Sequence, residues 1–154
     1  MSVLVVEDGT GLSTANAFIT VAEADAYFSH RHNSMWSGSS ATKEAAIING
    51  TLFVDRRYIG QWPGAKLVLD QALQWPRDDG DVPQPVKDAT CEAALRALSG
   101  DLVEDVTTGV RSKNIANVIS TVYAGSSGNV RKLYPVIDLI LSNILTCTSD
   151  VIRG

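Results

Sequence analysis

The 154 residues carry 13 Lys+Arg against 17 Asp+Glu, for a formal charge of −4, and 45% of them are apolar. A length near 150 predicts one domain spanning 1–154 with a core of its own and excludes a multidomain machine. The acidic balance argues against a chain whose main business is gripping phosphate backbones, which calls for a net basic surface.

Val3 to Val6 reads as a short amino-terminal strand running into the turn signal Asp8-Gly9-Thr10-Gly11. No basic region precedes that apolar run, so it is expected to be neither a signal peptide nor an anchor. Thr20-Val21-Ala22-Glu23 is a capping box that opens a helix over 21–31. Gly and Ser at 37–40 interrupt the chain, after which Ser40 or Thr42 caps a second helix over 42–58. Its apolar positions Ala45, Ile48, Leu52 and Ile59 recur at helical spacing, and Asp55, Arg56 and Arg57 fall on the opposite face. Trp62-Pro63 stops that helix, because proline disfavours an α conformation in the residue before it. A short helix over 66–74 leads into Trp75-Pro76-Arg77, and Asp78-Asp79-Gly80-Asp81 makes an exposed loop.

Pro85 suits the first turn of a third helix over 85–99, with Val86, Ala89, Ala93 and Ala97 on one stripe and Cys91, Leu95, Leu98 and Leu102 on another. Gly100 ends it. From Val106 to Ala124 β-branched residues replace the helix formers, which predicts a β-hairpin over about 106–124 turning near Lys113 to Asn117. Gly125-Ser126-Ser127-Gly128 is a break, and Tyr134-Pro135 opens a last helix over 133–146 with Ile137, Ile140, Leu141, Ile144 and Leu145 inward. Asp138, Ser142 and Asn143 keep this stretch short of the 18 or so apolar residues of a membrane span. The expected fold class is mainly α: a compact helical bundle of about four helices with an inserted β-hairpin and a short N-terminal strand.

No constellation signals catalysis, a metal or a cofactor, and the chain is expected not to be an enzyme. His30 and His32 point apart on a helix and lack further ligands. The acidic loop at 78–81 lacks the closing Glu of a calcium loop, and the Gly64-Ala65-Lys66 sequence does not fit a phosphate loop. Ser126 and Ser127 sit in no nucleophile elbow, and acid pairs such as Glu23 with Asp25, or Asp101 with Glu104, read as ordinary surface carboxylates. Cys91 and Cys147 read as small core hydrophobes of a reducing compartment. Stacking on single-stranded DNA would draw on Trp36, Trp62, Trp75, Tyr58 and Tyr123 beside Arg56, Arg57, Arg77, Arg111 and Lys113. Trp75 fits a core or interface anchor better, whereas Arg111 and Lys113 share one face of the expected hairpin, whose tip is the place to look for DNA or a partner.

Four segments in order carry a resemblance: Val6-Glu7-Asp8-Gly9-Thr10-Gly11-Leu12, Val21-Ala22-Glu23-Ala24-Asp25-Ala26-Tyr27-Phe28, Asp70-Gln71-Ala72-Leu73-Gln74-Trp75-Pro76-Arg77, and the helix opened by Pro85-Val86-Lys87-Asp88-Ala89. Together they resemble the DnaT-like single-stranded-DNA-binding family of tailed phages and prophages, similar in layout to head-tail connector (adaptor) proteins. The matching residues, Thr20, Glu23, Trp75, Pro76 and Pro85 among them, are scaffold anchors, and no catalytic, metal or cofactor position carries over. The resemblance implies a structural virion protein at the head-tail interface, assembled in the host cytoplasm. There it would form a homo-oligomeric ring, expected as a dodecamer, beneath the portal protein. Such a ring would extend the channel for passing double-stranded DNA without sequence specificity and would dock the tail or its terminator and stopper proteins, with Arg111, Lys113 and Tyr123 as channel or partner contacts and no membrane involved. The alternative it implies is a DnaT-like protein that binds single strands.

Overall fold

A computed structural model describes residues 3–78, 80–103 and 133–146. Backbone proximity divides the chain into a unit formed by Met1–Leu102 with Tyr134–Gly154 and a second unit, Val103–Leu133. The first unit is mainly helical: α1 (Val21–His30), α2 (Ser40–Arg57), α3 (Gln84–Ser99) and α4 (Pro135–Leu141). No helix among the described residues is long and apolar enough to cross a membrane.

The capping box forms as expected: Thr20 Oγ1 accepts from the Glu23 amide at 3.1 Å, and Glu23 accepts from the Thr20 amide at 2.7 Å. These bonds occupy two donors that a helix start otherwise leaves open. Ser39, one residue before the expected Ser40, caps α2 by accepting from the Thr42 amide at 3.2 Å. Pro85 falls in the first turn of α3, and Gly100 is its C-cap. α2 and α3 form the principal helix pair, α4 packs on α3, and α1 touches both. Phe18, Phe28, Ile19, Ile47, Val54, Val86, Ile137 and Leu141 are fully enclosed between them.

α2 meets the core with a face different from the expected one. Ala46, Ile47, Gly50, Thr51, Phe53, Val54 and Asp55 are buried, whereas Ala45, Leu52 and Ile59 are exposed and Ile48 is half-buried. The reason is a close approach. A Cβ on Gly50 would lie 2.7 Å from the Ala94 amide nitrogen, so the absence of that carbon lets α3 press against this side of α2. The rotation carries Asp55, expected in solvent beside Arg56, into the interior.

Two further expectations are corrected. Among the described residues the amino-terminal strand is only an isolated parallel bridge between Val6 and Ala17. Val5 O accepts from the Asn16 and Ala17 amides at 2.9 and 3.2 Å, and Glu7 N donates to Ala17 O at 2.9 Å. The segment finds a single short contact instead of a sheet partner. Residues 66–74 form no helix either. Gln71, 3% exposed, holds them as a loop: its side chain accepts from Val68 N at 2.8 Å and donates to Leu73 O and Pro76 O at 2.9 and 2.8 Å. Lys66 and Arg77 bridge antiparallel, and the Trp75-Pro76 peptide is cis. Side-chain bonds to distant carbonyls here replace the i to i+4 ladder.

Upstream, the buried Glu7 carboxylate collects the amides of Gly9, Gly11 and Leu12 at 2.9–3.1 Å and so shapes the turn signalled by Asp8-Gly9. The last helix is shorter than expected: at Ser142 the amide and the hydroxyl both donate to Leu139 O, a tighter i to i+3 turn in place of the α-helical ladder. Ile137 and Leu141 are buried as expected. Thr146 then pins the chain to Gln61 O through its amide and hydroxyl, each at 2.8 Å, and Tyr134 Oη donates to Leu102 O at 2.6 Å. The hairpin expected over 106–124 lies outside the described residues.

Candidate nucleic-acid interface

A protein that grips single strands presents flat rings for bases and free cations for phosphates, so the placement of both decides what this surface can do. The rings are inside. Trp36, Trp62, Trp75, Tyr27, Tyr58, Tyr134, Phe18, Phe28 and Phe53 are each at most 9% exposed, which takes in every described aromatic side chain. Trp36 stacks on Phe28 with centroids 5.0 Å apart, and its indole donates to Asp25 Oδ1 at 2.6 Å. Trp62 meets Tyr58 at 5.7 Å and Trp75 at 5.9 Å, edge to face in both cases. Trp75 is thus enclosed in the core, with Pro76 enclosed beside it.

The described cations are all engaged within the protein. Lys43 pairs with Asp25 at 2.7 Å, Arg57 with Asp138 at 3.5 Å, Lys87 with Glu23 at 3.5 Å and Arg96 with Glu92 at 2.9 Å. Arg31 lies over the Tyr27 ring at 3.5 Å. Arg77, named at the outset as a stacking neighbour, instead clamps the loop after α2 by donating to Pro63 O, Gly64 O and Gln74 O at 2.5, 2.6 and 3.1 Å. Lys66 donates to Gln71 O at 3.3 Å, and Arg56 reaches Asp55 at 3.5 Å. His30 and His32 are exposed at the end of α1, and no group of three metal-ligating side chains comes together among the described residues.

Asp55 is the interior charge that the sequence pattern hid. Its Oδ1 accepts from the Gln74 amide at 2.6 Å, while Oδ2 is enclosed without a hydrogen bond among the described residues and lies 3.5 Å from Arg56 Nε. Burial pushes its carboxyl above the usual range, although the Gln74 amide and the charges of Arg56, Lys66 and Arg77 pull the other way. Tyr58 donates to Asp138, and burial with that contact raises its phenol. Tyr27 donates to Glu92 at 3.0 Å and is raised in the same way. The Cys91 thiol is buried, and its pKa is pushed up to about 12, first by burial and then by Asp88 and Glu92, so it behaves as the expected core hydrophobe. Asp25 is held below its usual range mainly by the Lys43 hydrogen bond. These groups tie the scaffold together; none is poised over an open site.

Arg111, Lys113, Tyr123 and Cys147 lie outside the described residues. Thr20, Glu23 and Pro85 take up the capping positions given above. No curated protein and no solved structure matches this chain. A family model does match, over residues 2–154, and by that match the chain belongs to the family described as "Putative DnaT-like ssDNA binding protein".

Proposed function

We propose that this protein binds DNA through phosphate charge rather than base stacking, with the contacts drawn from residues 106–132. Membership of a DNA-binding family supports the substrate, and the burial of every described ring supports the mode. In a chain of charge −4, residues 106–132 hold four basic side chains, Arg111, Lys113, Arg131 and Lys132, and no acidic one, together with Tyr123, the one aromatic residue beyond those just described. Fluorescence anisotropy with a labelled single-stranded oligonucleotide across a salt series tests this. Four phosphate contacts give a slope of log K against log salt of about −3 for single strands, and Arg111→Ala with Lys113→Ala flattens it by about 1.4. Salt-independent binding, or a slope unchanged in the double variant, refutes the proposal.

A second reading, a non-enzymatic head-tail connector of the virion, is favoured by a different observation. Leu67, Val68 and Leu69 are 42, 39 and 95% exposed in succession on the loop that Gln71 and Arg77 hold in place. Fixed aliphatic side chains of this kind suit contact with another protein better than with DNA. In this reading copies form a ring on the portal, meet the tail proteins and let double-stranded DNA pass along the basic stretch. Cryo-electron microscopy of tailless, DNA-filled capsids mixed with the protein separates the two. A ring at the vertex without oligonucleotide affinity carries the connector, and an empty vertex with salt-sensitive binding carries the first reading.

A further inference from the structure

Pro63, Trp75, Asp81, Pro83, Asn143 and Ile144 line a cleft of about 540 Å³. Three separate stretches of chain supply its walls: the loop after α2, the approach to α3, and the turn that follows α4. Its volume falls within the range of ligand-binding pockets. Two prolines, an indole and an isoleucine give it largely apolar walls.

Its polar groups restrict what can enter. Asp81 accepts from the neighbouring Val82 amide at 2.7 Å and has no basic partner among the described residues. Among the described residues no cation lines the cleft, so phosphates and other anions are disfavoured there, while a cation is favoured both locally and by the charge of the whole chain. The Asn143 amide can donate to one peptide group and accept from another. The Trp75 indole N–H is enclosed and has no acceptor among the described residues. Trp75 lines the cleft, so its indole resonance reports on anything seated there.

We propose that this cleft binds an extended peptide segment of a partner protein, carrying aliphatic or proline residues and one Lys or Arg set against Asp81. An extended chain presents flat apolar edges and repeating peptide groups, which suit aromatic and proline walls with the Asn143 amide beside them, and its Lys or Arg complements the Asp81 carboxylate. None of its lining residues belongs to the basic stretch proposed for DNA, and the proposal stands whichever of the two functional readings holds.

The test uses the full-length ¹⁵N-labelled protein and two capped peptides, Leu-Pro-Arg-Leu-Pro and its counterpart with Glu in place of Arg. The indole N–H resonances are followed by NMR during titration and assigned with Trp62→Phe and Trp75→Phe. The expected result is a saturable shift of the Trp75 indole resonance with the Arg peptide and affinity for the Glu peptide lower by about tenfold. Asp81→Asn, at an exposed position, should bring the two peptides to within about threefold of each other while leaving the spectrum otherwise folded. An unmoved Trp75 resonance at about 5 mM peptide, equal affinity for both peptides, or a preference that survives in Asp81→Asn overturns the proposal.

Discussion

Gly50→Ala sets two opposing effects against each other at the α2–α3 contact. Alanine is the better helix former by about 1 kcal/mol, so at an open helical position the change stabilises. At Gly50 the new Cβ would lie 2.7 Å from Ala94 N, 3.0 Å from Ala94 Cα and 3.1 Å from Thr90 O. Ordinary contacts of this kind begin near 3.5 Å, so the two helices must part by several tenths of an ångström. The obstructing atoms are backbone and cannot swing aside. Overpacking of this sort costs about 1–3 kcal/mol, and a rigid neighbour places it in the upper half of that range. The net effect is then a loss of about 1–2 kcal/mol, or roughly 2–8 °C in melting temperature for a chain of this size. Thermal unfolding followed by far-ultraviolet circular dichroism measures it. Asn49→Ala, one residue away on the exposed side of the same helix, is the control and should gain a few tenths of a kcal/mol. A Gly50→Ala protein that melts at or above the parent temperature refutes the close approach and with it the account of why α2 turned its other face inward.

Three further outcomes follow from local geometry. Thr20→Ala removes the capping hydroxyl of α1 and should cost about 1 kcal/mol by urea denaturation, with Thr20→Ser restoring most of it. Asp55 has a raised folded-state pKa, so the stability it contributes is present below the ordinary carboxylate value and is lost as pH rises through the raised one. Asp55→Asn should therefore gain on the parent between about pH 4 and pH 7, and parallel stability curves would contradict a buried, desolvated carboxyl. Gln71→Ala leaves the Val68 amide and the Leu73 carbonyl without their buried partners and should cost about 2–3 kcal/mol. Limited proteolysis should then cut within 66–74 faster than it does in the parent protein.

The elements that sequence revealed are those whose cause is local. Thr20 and Glu23 lie three residues apart and bond each other, and Pro85 with Gly100 brackets α3 through backbone chemistry that needs no tertiary partner. The inward face of α2 was not legible in the same way. Two apolar stripes compete on that helix, one through Ile48 and Leu52 and the other through Ile47 and Val54, and Gly50 decides between them only because α3 is there to approach. Residues 66–74 misled for a related reason: Gln71 bonds the backbone on either side of it through its side chain, and Arg77 reaches back to Pro63 and Gly64, which no periodicity records. For the interface, the sequence offered rings beside basic residues as stacking candidates while favouring a core anchor for Trp75, and each of the described ones, Trp36, Tyr58, Trp62 and Trp75, has a packing partner in the core. Asp55 gave no signal, since an acid between Val54 and Arg56 looks the same in a string whether it faces water or Gln74.

The bond between Tyr134 and Leu102 means that the peptide leaves the helical unit and returns to it at nearly one point. Thr146 on Gln61 fastens the far side. The 103–133 stretch therefore behaves architecturally as a cassette in a closed frame, since α1–α4 reach one another without passing through it. Entropic closure changes by only about 0.6 kcal/mol for each doubling of such a stretch, so the frame tolerates a change in its length at little cost in stability.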